Sequence, residues 1–306
     1  MLSIERILCP TDFSPCASHA VPHALRMARE HGAELHLFHA IVLYETAPAD
    51  ATYRLPGLEG LYQGLQAQTD AQLRETVPED PGIITTRAQV RATSPARGIL
   101  EYAEEREIDL IVMGTHGRRG LRRLLLGSVA EEVVRLASCP VLTVPEKEDS
   151  GHEPGVARNI VVPLDFSQHA RLALAYAKAL AVTSNARVHL LHVIENVIYP
   201  DFYPPVWPSG GASSEELREE SAAHLREAAR DLEEAGIRTE THVRVGRPAT
   251  EIVEFAAEQG ADLVVIASHG LTGLQYMLLG SVAEHVVRGA RSPVLTLKTF
   301  GRGLEA

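Results

Sequence analysis

Gly114-Thr-His-Gly117, running on through Gly127-Ser128, and Ala267-Ser-His-Gly270, running on through Gly280-Ser281, read as two copies of one device. Each follows a short apolar run, Asp109-Leu-Ile-Val-Met113 or Asp262-Leu-Val-Val-Ile266, and leads into helical periodicity over 129–136 or 282–288. The order is strand, glycine loop, helix. In an open parallel sheet that junction lies at the carboxyl end of a strand, where ligands bind and helix N-terminal N–H groups face anions. The two stretches therefore predict an α/β fold and a nucleotide site, present once in full form and once altered.

Working outward, Ile4 to Cys9 reads as a first strand, Pro10-Thr-Asp-Phe-Ser14 as a turn, and the next residues as a helix reaching Gly32. Leu35 to Val42 is a second strand bearing His36 and His39, residues 44–62 a loop, and the stretch to about Val77 a polar helix. Ile83 to Arg91, Leu110 to Met113 and Pro140 to Val144 supply three more strands, with a helix from Pro95 to Glu107. Strands and helices alternating at these lengths predict a parallel sheet covered on both faces.

The pattern then restarts. Asp12 corresponds to Asp165, His39 to His192, Gly117 to Gly270, Gly127 to Gly280 and Pro140 to Pro293, each pair 153 positions apart. A constant offset marks a tandem duplication with almost no net insertion. Two domains are expected, 1–146 and 158–300, joined by a charged linker with Gly and Pro at 147–157.

Composition limits the function. A formal charge of −11 argues against nonspecific binding to nucleic acid or acidic membranes, which draws on clustered Lys and Arg. Cys9, Cys16 and Cys139 are too few and too scattered for a disulfide framework or a cysteine zinc site, and read as small buried residues. Glu5 and Arg6 interrupt the first apolar run, and nothing approaches the ~20 apolar residues of a membrane span, so a cytoplasmic protein is expected.

A Walker loop needs Gly-x4-Gly-Lys-Ser/Thr, and neither that run nor a dinucleotide Gly-x-Gly-x-x-Gly occurs here. What stands instead is Gly114-x2-Gly117-x9-Gly127-Ser128, which resembles the signature of the ATP-binding universal stress proteins. Pro10-Thr-Asp12-Phe-Ser14, the strand end at His39 and the Pro-Val-Leu-Thr-Val strand are similar to that family as well, over essentially all of both halves. The resemblance implies five-stranded sheets of order 3-2-1-4-5. It also implies ATP bound as a signal more than as a fuel, with Mg²⁺ held mainly by the phosphates. It places the cofactor-binding positions at Pro10, Thr11, Asp12, Ala40, Gly114, Gly117, Arg118, Gly127, Ser128 and Val129 in the first half. In the second half they fall at Asp165, Val193, Gly270, Gly280, Ser281 and Val282. Asp12 and Asp165 would face adenine and ribose, and Ala40 and Val193 would offer backbone contacts to adenine.

The same residues carry structural alternatives. Glycines at 114, 117 and 127 permit close approach of a ligand or a positive φ. Ser128-Val-Ala-Glu131 and Ser281-Val-Ala-Glu284 fit the capping-box pattern, with the serine as N-cap. Asp12 and Asp165 stand where an N-cap is expected, which is compatible with a ligand contact. His39 and His192 read as buried, hydrogen-bonded strand histidines, and His116 and His269 as loop packing. No residue is assigned to metal ligation or catalysis.

The halves differ between their glycines. The first carries Arg118, Arg119, Arg122 and Arg123, suited to bidentate phosphate contact, whereas the second has an uncharged span and Ala267 in place of the first glycine. Gly246 in Val-Gly-Arg-Pro aligns with Thr93 at the common offset. The aromatic and proline-rich stretch 196–213 is a recognition surface, a lid or packing against the other domain.

The leading reading is an ATP-binding stress-response protein. A nucleotide-free scaffold acting by protein contacts is the alternative from another class, and an ATPase the third. No carboxylate beside Gly114 to Ser128 is an obvious base for activating water, so any turnover should stay below about 1 s⁻¹. Each half ends in an apolar strand, Val141–Val144 or Val294–Leu297, at the sheet edge of the family's strand order. The expectation is that these edges pair as an intrachain pseudo-dimer, and a homodimer of chains is compatible with the sequence.

Overall fold

A computed structural model describes residues 4–42, 58–78, 80–117, 126–146, 154–195, 214–268 and 279–298. The chain divides into two compact units, whose main spans are Ser3–Glu146 and Lys147–Thr299.

The first unit alternates β1 (Arg6–Pro10), α1 (Pro15–His31), β2 (Glu34–Val42), α2 (Leu58–Thr76), β3 (Thr85–Ala92), α3 (Pro95–Glu105), β4 (Leu110–Gly114), α4 (Ser128–Leu136) and β5 (Val141–Val144). Its strands pair in parallel in the order β3-β2-β1-β4-β5. The second unit repeats this with β6 (Asn159–Pro163), α5 (Gln168–Ser184), β7 (Arg187–Glu195), α6 (Ser214–Glu233), β8 (Arg238–Gly246), α7 (Pro248–Glu258), β9 (Leu263–Ala267), α8 (Ser281–Gly289) and β10 (Val294–Leu297). Its order is β8-β7-β6-β9-β10, also parallel. This is the predicted strand order in both halves.

The central strands read as unbroken apolar runs because helices cover both faces of the sheet. Ile7, Leu8 and Cys9 of β1 and Ile111 and Val112 of β4 are fully buried, as are Ile160, Val161 and Val162 of β6 and Val264 and Val265 of β9. The carboxyl ends of β1 and β4 lie side by side where the strand order reverses, as do those of β6 and β9. In open α/β sheets that reversal opens a crevice.

Two boundaries differ from the sequence reading. Helix α2 begins at Leu58, so Gly60 and Tyr62 lie in a helix and not in the predicted loop. A Cβ at Gly60 or Gly64 would meet nothing within 4 Å. These exposed helical glycines cost about 1 kcal/mol each relative to alanine and are tolerated, although they punctuate the sequence like a loop.

The second difference is one of register. Leu35 of β2 pairs with Thr85, whereas its counterpart Val188 pairs with Thr239, so the offset along this strand is 154 and not 153. Gly246 therefore corresponds to Ala92 and not to Thr93. The offset returns to 153 at Pro95 and Pro248, because Thr93-Ser94 in the first half is matched by Arg247 alone. The deleted residue has a local consequence. Ser94 caps α3 by accepting from Arg97 N–H, while Arg247 at the same place gives α7 no side-chain cap.

Candidate functional site

The turn leaving β1 is built from its own side chains. Thr11 N–H donates to Phe38 C=O of β2 at 2.8 Å, and Thr11 Oγ1 accepts from Phe13 N–H at 3.0 Å. Asp12 Oδ1 accepts from Ser14 N–H at 3.0 Å, an Asx turn, and Ser14 Oγ accepts from Ala17 N–H at 3.2 Å. Ser14 is thus the N-cap of α1, and the expectation that Asp12 caps this helix is corrected. The second half is built alike, with Asp165 Oδ1 on Ser167 N–H at 3.0 Å and Ser167, not Asp165, as N-cap of α5. One carboxylate oxygen closes the turn, and the cap falls two residues later.

Between aspartate and cap, Phe13 and Phe166 each hold φ at 62°. For a bulky residue this left-handed conformation is strained and persists only where its surroundings impose it. Here a histidine does so. His39 of β2, one residue past the partner of Pro10 at the end of β1, bonds Thr11 C=O through Nδ1 at 2.7 Å and stacks on Phe13 with ring centroids 4.8 Å apart. His192 bonds Leu164 C=O at 2.7 Å and stacks on Phe166 at 4.4 Å. Both are hydrogen-bonded strand histidines as expected, although only half-buried. Sequence reasoning missed the two phenylalanines; the signal was Asp-Phe-Ser recurring at 12–14 and 165–167.

The glycine loop is pinned at its neck. Thr115 N–H donates to Val144 C=O at 3.0 Å, continuing the sheet, and Thr115 C=O accepts from Gly127 N–H at 2.8 Å. Ser268 makes the same two bonds, to Leu297 C=O and from Gly280 N–H, both at 2.8 Å. The chain therefore leaves the sheet at Thr115 and returns beside it to start α4.

None of Gly114, Gly117 and Gly127 has a positive φ, so that reason for glycine is corrected; the protein's own atoms crowd each one. A Cβ at Gly114 would lie 2.7 Å from the Cys16 carbonyl oxygen in the first turn of α1. At Gly117 it would lie 2.7 Å from Asp12 Oδ2, and at Gly127 3.1 Å from the Thr115 carbonyl oxygen. Ala267 carries its Cβ as the last residue of regular strand β9, in register with Leu297, so the methyl group is accommodated there.

The helices that follow these necks begin without a side-chain cap. The N-cap of α4 is Gly127 and that of α8 is Gly280, both extended, and neither makes a side-chain cap bond. The expected capping boxes are thereby corrected: Ser128 and Ser281 are the first helical residues, too late to cap. Extended backbone at each glycine places its carbonyl to accept the first helical bond, from Glu131 N–H or Glu284 N–H at 2.9 Å. A glycine cap leaves the first-turn amides, including those of Ser128 and Val129, without a capping oxygen. By contrast α1, α3 and α5 are each closed by a serine.

The structure thus brings Pro10, Thr11, Asp12, Gly114, Gly117, Gly127, Ser128 and Val129 to neighbouring positions at the ends of β1 and β4. Gly117 and Ser128 are exposed, and Asp12, Gly127 and Val129 half-buried. Ala40 stands one strand over, its Cβ turned toward Gly98 of α3, since a Cβ added there would lie 3.5 Å away. In the second half Asp165, Val193, Gly280, Ser281 and Val282 occupy the equivalent strand ends and helix start. Arg118, Gly270, His269, the remaining loop arginines and the stretch 196–213 lie outside the described residues. His116, at the edge of the neck, bonds Thr115 Oγ1 through Nδ1 at 2.9 Å. The three cysteines are buried free thiols, and burial pushes the Cys9 thiol up to about 12.

Parallel sheets of this order, each with a glycine-necked helix at the reversal point, define the α/β class that offers helix N-termini to anionic ligands at a strand-order switch. The chain belongs to the universal stress protein family, whose model matches residues 3–145 and again 157–298. It is 38% identical over 141 residues to a universal stress protein of Methanocaldococcus jannaschii, covering 46% of this chain and 82% of that one. A universal stress protein of Mycolicibacterium smegmatis is 29% identical over 298 residues, covering 95% of this chain and 96% of its own. Among solved structures, a universal stress protein from Archaeoglobus fulgidus superposes with a TM-score of 0.66 at 22% identity, covering 96% of this chain and 98% of that one, a likeness of fold.

Proposed function

We propose that the first half binds ATP, and that the bound nucleotide acts as a conformational ligand in a stress response. The observation that carries this reading is the pair of glycine-capped helices at the sheet's reversal points. Glycine in place of serine keeps the first-turn amides of α4 available, and a phosphate is the ligand that uses such amides together with the helix dipole. Asp12, beside the neck, supplies the polar group for the sugar end, and the backbone after His39 supplies the edge for adenine. Mg²⁺ would be held mainly by the phosphates. Arg118 completes the phosphate contacts in this proposal, and Asp165, Val193, Gly270, Gly280, Ser281 and Val282 form a second, weaker site. Because the ligand is held by backbone and caps, the reading requires no turnover.

The test is to purify the full chain from cells without added nucleotide, denature it, and identify what is released by chromatography and mass spectrometry. ATP at roughly one per chain is the expected result. Protein that carries no nucleotide and takes up none when titrated with ATP·Mg²⁺ would overturn the reading in favour of a scaffold.

A further inference from the structure

Two histidines and a glutamate converge on the sheet of the second unit, before the strand ends that carry the nucleotide reading. His189 of β7 pairs in register with Glu240 of β8, and His242 follows two residues on, so all three side chains share one face. His189 Nδ1 lies 3.4 Å from His242 Nε2 and 3.6 Å from Glu240 Oε2, and His242 Nε2 lies 3.8 Å from the same oxygen.

These separations are long for hydrogen bonds, which cluster near 2.7–3.2 Å. They approach those around a shared cation: donors about 2.0–2.2 Å from a tetrahedral Zn²⁺ stand about 3.3–3.6 Å apart, a range that holds the two distances from His189, with the His242–Glu240 distance just beyond it. We propose that His189 Nδ1, His242 Nε2 and Glu240 Oε2 form a Zn²⁺ site with three protein ligands and a fourth position open to water.

The surroundings fit that assignment. Arg187 Nη1 donates to Glu240 Oε1 at 2.9 Å, which fixes the carboxylate and leaves Oε2 facing the histidines. Phe255 of α7 walls the site, its ring centroid 4.7 Å from that of His242 and 6.1 Å from that of His189. Arg244, the other nearby cation, lies over the Phe255 ring and is paired with Glu251 and Glu258. Burial lowers the pKa of both histidines, favouring the neutral form that ligates a metal. The His189 side chain is 3% exposed, His242 28% and Glu240 45%, so the site is anchored in the core and open on one side.

The first half provides an internal comparison. The equivalent histidine, His36, engages Nδ1 with the Tyr102 hydroxyl at 2.8 Å. By strand register Thr86 and Ala88 stand where Glu240 and His242 stand, and Phe255 replaces Tyr102. The second copy thus differs in a concerted way: the hydroxyl that occupies Nδ1 is gone, and two ligating side chains have appeared beside it.

The experiment uses the full chain, stripped with a chelator and titrated with Zn²⁺, with bound metal quantified after dialysis and Co²⁺ absorption reporting the geometry. The intact chain should retain one Zn²⁺ and give a tetrahedral Co²⁺ spectrum. His242→Ala and Glu240→Gln, both at the open side, should weaken binding more than about tenfold. His285→Ala, at an exposed position of α8, should leave it unchanged. Failure of the intact chain to retain Zn²⁺, or equal retention by all three variants, would overturn the proposal.

Discussion

Asp12 and Gly117 meet at the adjoining ends of β1 and β4, where a Cβ on the glycine would stand 2.7 Å from the aspartate's Oδ2. The first glycine of the signature has a different neighbour, the Cys16 carbonyl oxygen, also 2.7 Å from an added Cβ. A side-chain oxygen can swing aside, whereas a helical carbonyl cannot move without its helix. Gly117→Ala should therefore displace Asp12, leave stability within about 1 kcal/mol of the parent, and weaken ATP binding about tenfold. Gly114→Ala should destabilise the first unit by about 1–3 kcal/mol through overpacking. Urea unfolding and ATP titration of both variants check this, and equal stability losses would contradict it.

Serine caps provide a second prediction. Ser14→Ala and Ser167→Ala each remove a hydroxyl that accepts a helix amide, and should cost about 0.5–2 kcal/mol. Ser128→Ala removes an exposed hydroxyl that caps nothing, and should change stability by less than about 0.5 kcal/mol. Thermal unfolding of the three variants separates the roles, and a loss at Ser128 as large as at Ser14 would restore the capping box.

Acidification should destabilise the first unit through His36. Its pKa is lowered from 6.5, chiefly by burial and further by Arg106 and Arg6, with Glu34 opposing in part and the Tyr102 hydroxyl on Nδ1. A base whose folded pKa is depressed binds more protons when unfolded. Its contribution is complete above pH 6.5 and is lost as pH falls from there through the folded value. The urea midpoint should drop between pH 7.5 and pH 5.5, as rough bounds of that window, and drop less in His36→Gln. An identical drop in the variant would place the sensitivity elsewhere.

Much of this was legible in the chain. The constant offset of Asp12, His39, Gly117 and Gly127 from their partners gave away the duplication, and apolar runs with helical periods between them gave away a covered parallel sheet, whose strand order came with the family resemblance. The local roles were less legible. Thr11, Asp12 and Ser14 can all cap a helix, and the strained turn at Phe13, braced by His39, decides among them. Glycine spacing looks the same whether a ligand or the protein's own atoms require it. The shifted register of β8 was hidden because an added residue before the strand is cancelled by the one missing after it. His189, Glu240 and His242 have no metal-motif spacing, and only the pairing of β7 with β8 brings them together.

The ATP site proposed for the first half should be tighter than any in the second. The first span carries arginines that the second lacks, and one added charge-assisted contact is worth about 1.5–3 kcal/mol, roughly ten- to a hundredfold in affinity. Calorimetric titration with ATP·Mg²⁺ of nucleotide-free full chain, Gly117→Val and Gly270→Val, each confirmed as folded by circular dichroism, tests it most directly. The expected result is a tight phase in the intact chain that Gly117→Val abolishes and Gly270→Val retains. No binding by the intact chain, two identical phases, or loss of the tight phase in Gly270→Val alone would contradict it.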